Sequence, residues 1–391
     1  MSGGVDSSVT AALLAKQDYD LSAVFMRNWD MRDESGSDVG CEWEKDWEDV
    51  QRVCRYIGVP RTLRDFSKEY WNRVFTPALD SWSEGRTPNP DVFCNREIKF
   101  GSLFDHIAQD SQTFLATGTR PPSPLSHPST NTCSRHTIGH YAQITHHLTY
   151  GPRLTRAIDR HKDQTYYLSS VSQSKLAQTL FPIGHLTKPQ LRQLASEMNL
   201  PTAERSESMG LCFVGERGRF SSFLSQYIPP KPGPILLHPS LSQIGTHQGL
   251  YTLTIGQNAR VPGQPKKMFV ARKRVEDNSI IVVDSSTHPA LMCTSVRLRG
   301  WKWISENMEE LRTLNDTSES ERASTPAGLP VLTQIRHRME PVAGTLYNLG
   351  DTFEIRFAEP LHGVAAGQVG AAWDGEWCLG CGEIESTVCL E

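Results

Sequence analysis

Ser2-Gly3-Gly4-Val5-Asp6-Ser7-Ser8 opens directly into the helical pattern of Ser7 to Lys16 (SSVTAALLAK). Two adjacent glycines let a backbone turn tightly and approach an anion closely. The unpaired N–H groups of a helix start, with the positive end of the helix dipole, suit phosphate. Ser7 and Ser8 add hydroxyl donors, and Asp6 is placed to hold Mg2+ against the phosphates. The Walker pattern G-x-x-x-x-G-K-[ST] is absent, which excludes an ordinary P-loop NTPase. On spacing alone, a glycine turn with a serine N-cap remains an alternative reading.

Strand–helix alternation continues outward from this turn. Leu21 to Met26 reads as a buried strand, and Glu44 to Ile57 as a helix stopped by Gly58 and Pro60. Ser67 to Trp82 reads as a helix with Ser67 as N-cap, and Thr113 to Thr117 as a short strand. Such alternation predicts an α/β domain, a parallel sheet with helices on both faces. A strand is also expected immediately before Ser2. Met1 stands where that strand should end, so the chain reads as truncated or as begun from a misassigned start.

From about residue 245 the pattern changes to short β-rich runs: Leu250 to Ile255, Met268 to Val270, Ser279 to Val283, Val331 to Arg336, Thr352 to Phe357 and Gly367 to Trp373. Gly, Pro and Asp-rich turns separate them, which predicts a small all-β barrel. Residues 119–138, rich in Pro, Ser and Thr, read as a disordered insertion, and 305–330 as a polar loop within the last domain. The expected division is a phosphate-loop domain over 1–200, a small central domain over 201–265 and the barrel over 266–391. A chain of 391 residues is long for one core, so several domains agree with its length.

The chain is 38% hydrophobic and 21% charged, and no run approaches 18 apolar residues, so no spanning helix is predicted. Its net charge of −4 gives no global argument for a nucleic-acid partner, which would need local patches. Residues 28–50 carry nine acidic residues against two basic ones, read as a solvated face. The nine cysteines are scattered and form no dense framework, which fits free thiols in a reducing compartment.

Two of those cysteines sit in distinctive surroundings. Thr87-Pro88-Asn89-Pro90-Asp91-Val92-Phe93-Cys94-Asn95 carries a D-x-x-C behind two prolines, which force an extended approach. Glu207-Ser208-Met209-Gly210-Leu211-Cys212-Phe213-Val214-Gly215 places another cysteine beside glycines. Sulfur transfer needs one thiol to carry a persulfide and a second to attack it. Taken singly, each cysteine also reads as a small buried apolar residue.

The string SGGVDSS resembles the signature of the PP-loop ATP pyrophosphatases, which cleave ATP between the α and β phosphates. GRTPNPDVFCN and ESMGLCFVGER are similar to the corresponding strings of the tRNA-specific 2-thiouridylases. Phe25 to Asp30, Lys162 to Tyr167, Gly245 to Gly249, Tyr251 to Gln257 and Cys378 to Gly382 extend the resemblance over nearly the whole chain, and MRNWD and ESMGLC look like the mitochondrial members. The resemblance implies a PP-loop domain, a small central domain and a C-terminal β-barrel. It implies Cys212 as persulfide carrier, Cys94 as the thiol that frees the sulfur and forms a disulfide with Cys212, and Asp91 as acid/base near the uracil. It implies that Ser2, Gly3, Gly4, Asp6, Ser7 and Ser8 hold ATP with Mg2+, with Met26 near the adenine. It also implies tRNA contacts at Lys162 and Gln164, and a mitochondrial protein whose leader is not in the residues given. Its partners would be tRNAs reading Lys, Glu and Gln codons and a cysteine desulfurase or sulfur relay.

One departure affects the nucleotide site. The family reads A-T-G-H-Y-A-R without a break, whereas here Ala116-Thr117-Gly118 is separated from Gly139-His140-Tyr141-Ala142-Gln143 by the insertion. Either Gly118 or Gly139 takes the nucleotide-seating role. Cys378-x-x-Cys381 lacks a second ligand pair nearby, and the resemblance places an ordinary β-turn there instead of zinc.

Residues 201–300 hold twelve Lys/Arg against six Asp/Glu. Arg260, Lys266, Lys267, Arg272, Lys273 and Arg274 form one cluster, Arg297, Arg299 and Lys302 surround Trp301, and Arg336 and Arg338 flank His337. Basic residues interleaved with aromatics suit an RNA backbone and splayed bases. Arg153, Arg156 and Arg160 are expected to add a phosphate-facing strip. Two rivals are a PP-loop ligase or amidotransferase acting on a metabolite, which needs neither Cys94 nor Cys212, and an inactive tRNA-binding relic.

Overall fold

The computed structural model describes residues 1–17, 19–29, 42–108, 136–137, 139–206, 220–305 and 328–390. They form two compact units. The first comprises Met1–Val74, Asp91–Glu216 and Glu376–Cys378, and the second Phe75–Pro90, Arg217–Gly375 and Leu379–Glu391.

In the first unit, helix α1 (Val5–Ala15) leads to strand β1 (Ala23–Arg27), helix α2 (Glu42–Ile57) and strand β2 (Arg61–Asp65). β1 and β2 pair in parallel, Ala23 opposite Arg61 through Arg27 opposite Asp65. Parallel neighbours need a crossover, and α2 supplies it. Trp43, Trp47, Val50 and Cys54 recur at helical spacing and pack with Ala23 and Phe25 of β1. This stripe, not the acidic composition, determines how α2 lies. Met1 joins the same cluster, and its amine donates to the Val24 carbonyl.

Helix α3 (Pro90–Cys94) runs on through a wide helical turn, Asn95–Ser102, into Leu103–Ala108. Strands β3 (Gln143–His147) and β4 (Gly151–Thr155) form a hairpin, followed by helix α4 (Lys188–Glu197). Val5, Val9 and Ala12 of α1 bury against Leu191 and Ala195 of α4, with Tyr141, Ala157 and Ile183 completing the cluster. Filling each such position with an aliphatic side chain is worth about 1.5–3 kcal/mol.

The expected Ser67–Trp82 helix occurs as consecutive helical pieces, Ser67–Tyr70, Trp71–Phe75 and Thr76–Ser83. Ser67 is not its N-cap. Phe66 holds that position, and the Ser67 N–H donates to Asp65 Oδ1 at 2.9 Å, so the aspartate two residues earlier does the capping work. The strand expected at Thr113–Thr117 and most of the insertion lie outside the described residues. At the end of that insertion, His136–Thr137 forms a short strand parallel to Thr179–Leu180, where disorder was expected.

In the second unit, strands β5 (Gly233–Leu237), β6 (Ser242–His247), β7 (Phe269–Arg274) and β8 (Ser279–Val283) form one sheet in the order β6-β5-β8-β7. The sheet crosses the 265/266 division expected from the sequence. The expected β run at Leu250–Ile255 is a single tight helical turn, Leu250–Thr252, and it buries Leu250 with the sheet's Ile235, Val270 and Ile280.

Strands β9 (Met292–Trp303), β10 (Leu329–Gln334), β11 (Val342–Asn348), β12 (Phe353–His362), β13 (Val369–Asp374) and β14 (Trp377–Cys389) run in the order β9-β12-β11-β10-β13-β14, and β14 pairs back onto β9. That closure makes the expected barrel and removes exposed sheet edges. Gly380 is required by it, because a Cβ there would lie 2.2 Å from the Lys302 carbonyl oxygen.

Closure also sets Cys293 opposite Cys389, and the two form a disulfide. This corrects the expectation of free thiols at both positions: a separation of 96 residues hides a pair that barrel register brings together. Cys378 and Cys381 lie inside β14, not in the turn expected there. Strand positions three apart face opposite sides.

Candidate active site

The turn before α1 is shaped by its glycines. Gly3 is buried at φ +76°, and a Cβ there would lie 2.6 Å from the Asp46 carbonyl oxygen. Gly4 is the extended residue that begins α1, and a Cβ on it would meet only Ser2 Oγ at 3.8 Å. The backbone therefore offers the N–H groups of the first helical turn with no side chain in front of Gly4. Ser7 Oγ and Ser8 Oγ donate to the Gly4 carbonyl at 3.0 and 2.9 Å, and Ser7 Oγ accepts from the Ser2 N–H at 3.2 Å. These hydroxyls brace the turn from within, where the sequence had suggested donors pointing outward.

Gly139 is pressed onto the same turn. A Cβ on it would approach Ser7 N to 2.9 Å and Asp6 C to 3.0 Å. The other candidate, Gly118, lies outside the described residues. Met26 is half-buried on β1 in register with Arg64.

Two cations hold the turn from other parts of the chain. Lys188 Nζ donates to Asp6 Oδ1 at 2.6 Å, and the Tyr141 hydroxyl reaches the same oxygen at 3.3 Å. Arg205 Nη1 donates to the Gly3 carbonyl at 3.1 Å, and its guanidinium pairs with Asp46 and Asp49 of α2. So part of the acidic run is not a solvated face but the counter-charge of Arg205. Sequence reasoning missed both cations. The signals available were the lysine opening α4 and the arginine shortly before the Cys212 motif.

Asp91 and Cys94 lie three apart on α3, hence on one helix face. Pro90 pre-sets the helix start, and Val92 and Cys94 are buried. Burial pushes the Asp91 carboxyl above the usual carboxylate range, and the Lys99 ammonium partly opposes the shift. Lys99 Nζ is also 3.4 Å from His140 Nε2. His140 is 3% exposed, and desolvation, reinforced by Lys99, holds its imidazole well below the ordinary range and so neutral. Burial thus disfavours the charged form of both groups, the Asp91 carboxylate and the His140 imidazolium, and the Lys99 charge acts on each. Cys212 and its expected pairing with Cys94 lie outside the described residues.

The expected RNA contacts separate into used and available groups. Arg153 stacks over Trp377 at 3.9 Å and over Tyr150 at 5.1 Å, which fixes its guanidinium plane. Gln164 clamps Tyr141, its Oε1 accepting from the Tyr141 N–H at 2.9 Å, and Lys162 is half-buried in the turn following Asp159. Arg156 does not belong to a phosphate-facing strip. It is buried and faces Asp163 at 3.5 Å, while Arg160 pairs with Glu376.

In the second unit Arg336 and Arg338 are exposed in the loop after β10. Much of the 260–302 basic cluster is internally neutralised: Lys266 pairs with Asp284, Arg274 with Asp277 and Arg299 with Glu383. Lys273 donates to the Gly85 carbonyl at 2.9 Å, and burial lowers its ammonium to about 7.

Three family models match the chain. The tRNA methyl transferase HUP domain covers residues 1–120 and 127–216, the tRNA methyl transferase PRC-barrel domain 221–284, and the aminomethyltransferase beta-barrel domain 296–384. The unmatched residues 121–126 fall within the expected insertion. Among similar curated proteins, the tRNA-specific 2-thiouridylase MnmA of Alkaliphilus oremlandii is 39% identical over 391 residues, covering 98% of this chain and 95% of that protein. The tRNA-specific 2-thiouridylase MnmA of Lacticaseibacillus paracasei is 38% identical over 393 residues, covering 99% and 93%.

Proposed function

Because the chain belongs to the tRNA-specific 2-thiouridylase family, we propose that it activates the C2 oxygen of a tRNA wobble uridine with ATP and replaces that oxygen with sulfur, giving 2-thiouridine at position 34. The observation that carries this reading is the presence in one compact unit of a glycine-built anion turn and a helix face bearing Asp91 and Cys94.

In this reading ATP lies along the Ser2–Ser8 turn with Gly139 against it, and Met26 near the adenine. The C2 oxygen attacks the α phosphate, pyrophosphate leaves, and the oxygen becomes part of an AMP leaving group. Cys212 arrives as a persulfide. Cys94 attacks its inner sulfur, hydrosulfide departs, and a Cys94–Cys212 disulfide closes. Hydrosulfide adds at C2, AMP leaves, and an external thiol reduces the disulfide before the next turnover. Asp91, whose carboxyl burial pushes above the usual carboxylate range, moves the proton at the uracil. A wobble uridine in a single-stranded loop can be flipped into such a site at low cost.

Mg2+ fits the residues present. Asp6 supplies a carboxylate at the turn, and both of its contacts described above fall on Oδ1. Such an ion usually takes one or two protein carboxylates and completes its shell from phosphates and water. When bound, it would neutralise the departing pyrophosphate.

The C-terminal modules are read as the tRNA-contacting half, through Arg336 and Arg338, with Arg153, Lys162 and Gln164 beside the active site. The proposed acceptors are tRNAs reading Lys, Glu and Gln codons. A cysteine desulfurase or sulfur relay would supply the persulfide, and the mitochondrion is the proposed location.

The test is thiolation in vitro with ATP, Mg2+, a cysteine desulfurase with cysteine as the persulfide source, and unmodified tRNA, read by nucleoside mass spectrometry. The chain should form 2-thiouridine, and Cys94→Ser and Cys212→Ser should not. Equal product from the wild type and both serine variants would rule the proposal out.

A further inference from the structure

Residues 85–90 lead directly into α3, which carries Asp91 and Cys94. Pro88 and Pro90 have no N–H, and residues 86–89 belong to no helix or strand, so this stretch cannot hold itself through a regular ladder. It is held instead from within the second unit. Gln368, in the loop between β12 and β13, reaches it twice. Its Nε2 donates to the Thr87 carbonyl at 2.8 Å, and its Oε1 accepts from Asn89 Nδ2 at 3.4 Å. The Thr87 N–H donates to the Ala366 carbonyl at 2.8 Å. A Cβ on Gly367, at φ +92°, would lie 2.8 Å from the Thr87 nitrogen, so the loop backbone rests directly against the stretch. Thr87 Oγ1 is also 2.6 Å from Thr254 Oγ1, and Lys273 holds the Gly85 carbonyl.

Gln368 bridges Pro88, using its donor on the residue before the proline and its acceptor on the residue after it. A carboxylate at 368 would lack the donor and an ammonium would lack the acceptor. The amide is itself anchored. The Gln368 carbonyl accepts from the Ile384 N–H at 2.7 Å, and the Gly367 N–H donates to the Ile384 carbonyl at 2.8 Å, so β14 of the barrel fixes the loop from behind. Asn89 adjoins Pro90, the first residue of α3, so whatever fixes Asn89 fixes where that helix begins. Reacting groups displaced by about 1 Å lose roughly 10²-fold in rate.

We propose that Gln368 is a positioning residue for the sulfur-transfer reaction: through Thr87 and Asn89 it sets the start of α3, and with it the aim of Asp91 and Cys94. The inference rests on the thiolation reading given above, and deepens it by giving a barrel loop a part in the chemistry.

Single-turnover thiolation by the full chain, with a cysteine desulfurase and cysteine as persulfide source, tests it beside melting curves and titrations with ATP and tRNA. Gln368→Met keeps the side-chain length and removes both bonds. It should melt near wild type, hold ATP and tRNA within about twofold, and slow thiolation at saturating ATP and tRNA at least tenfold. The double variant with Asn89→Ala should lose less than the product of the two single losses, because both act through one contact. If Gln368→Met does not fold, Gln368→Glu, which removes only the donor, takes its place in the same comparison. A thiolation rate within about twofold of wild type, a rate that falls only in step with Tm and ligand affinity, or losses that multiply in the double variant would overturn the role of Gln368. A wild-type chain that forms no 2-thiouridine would overturn the thiolation reading itself.

Discussion

The Arg205 guanidinium donates to the Gly3 carbonyl at 3.1 Å, tying the phosphate turn to the residue that leads into the Cys212 segment. The same guanidinium balances Asp46 and Asp49, and Asp49 is 4% exposed. Arg205→Met would leave Asp49 with Arg52 alone and the Gly3 carbonyl without this donor. Losing one partner of a largely buried pair costs about 3 kcal/mol. Thermal denaturation should show a clear drop in Tm, and ATP affinity should fall with it. An unchanged Tm would mean that Arg205 is not what holds the turn.

Alanine at Gly4 and at Gly139 should weaken ATP binding in both cases but lower Tm only at Gly139. At Gly139 the new Cβ meets backbone atoms of Asp6 and Ser7 at 3.0 and 2.9 Å, which cannot swing aside. Such overpacking costs about 1–3 kcal/mol, so Gly139→Ala should lower Tm and ATP affinity together. At Gly4 nothing opposes the Cβ within 3.8 Å, so Gly4→Ala should melt near wild type yet bind ATP poorly, because the methyl occupies the anion's approach. Parallel melting curves and titrations separate the two.

These contrasts show what the sequence made legible. The paired glycines and the D-x-x-C behind two prolines stand out as motifs, so the turn, Asp91 and Cys94 could be singled out, while the roles of Asp91 and Cys94 came only from the resemblance. Partners distant along the chain could not. Lys188 meets Asp6 across 182 positions, and Arg299 meets Glu383 across 84. The basic run near 260–302 suggested an RNA surface, yet Asp284 and Asp277 within the run neutralise Lys266 and Arg274, and Glu383 on the paired strand neutralises Arg299. The barrel was legible as a succession of β runs. Its closure, and with it the Cys293–Cys389 bridge, depended on strand register that no local pattern encodes.

The buried titratable groups give a pH signature. Asp91 has a raised native pKa, so between its unfolded value near 3.9 and that raised value the native state holds more protons, and stability falls as pH rises. Asp91→Asn should therefore raise Tm at pH 7 while removing thiolation. His140 has a lowered native pKa, so below about 6.5 the unfolded state binds more protons and stability falls as pH falls. His140→Gln should flatten the loss of Tm between about pH 6.5 and 5. Wild-type-like slopes in both variants would contradict these assignments.

The barrel bridge should be measurable apart from catalysis. Cys293 and Cys389 close a loop with a separation of 96, for which chain-entropy arguments give up to about 4–5 kcal/mol. Dithiothreitol should lower the Tm of the oxidised protein. Cys293→Ser should match the reduced protein and show no further response to the reductant. Equal melting of oxidised and reduced protein would show that strand pairing alone holds β9 to β14.

The central claim is that the glycine turn spends ATP between its α and β phosphates to exchange oxygen for sulfur on RNA. Counting nucleotides against product in single-turnover thiolation tests it most directly. The account predicts one AMP and one pyrophosphate for each 2-thiouridine formed, with no ADP. ADP and orthophosphate in place of AMP, or 2-thiouridine formed without ATP, would contradict it.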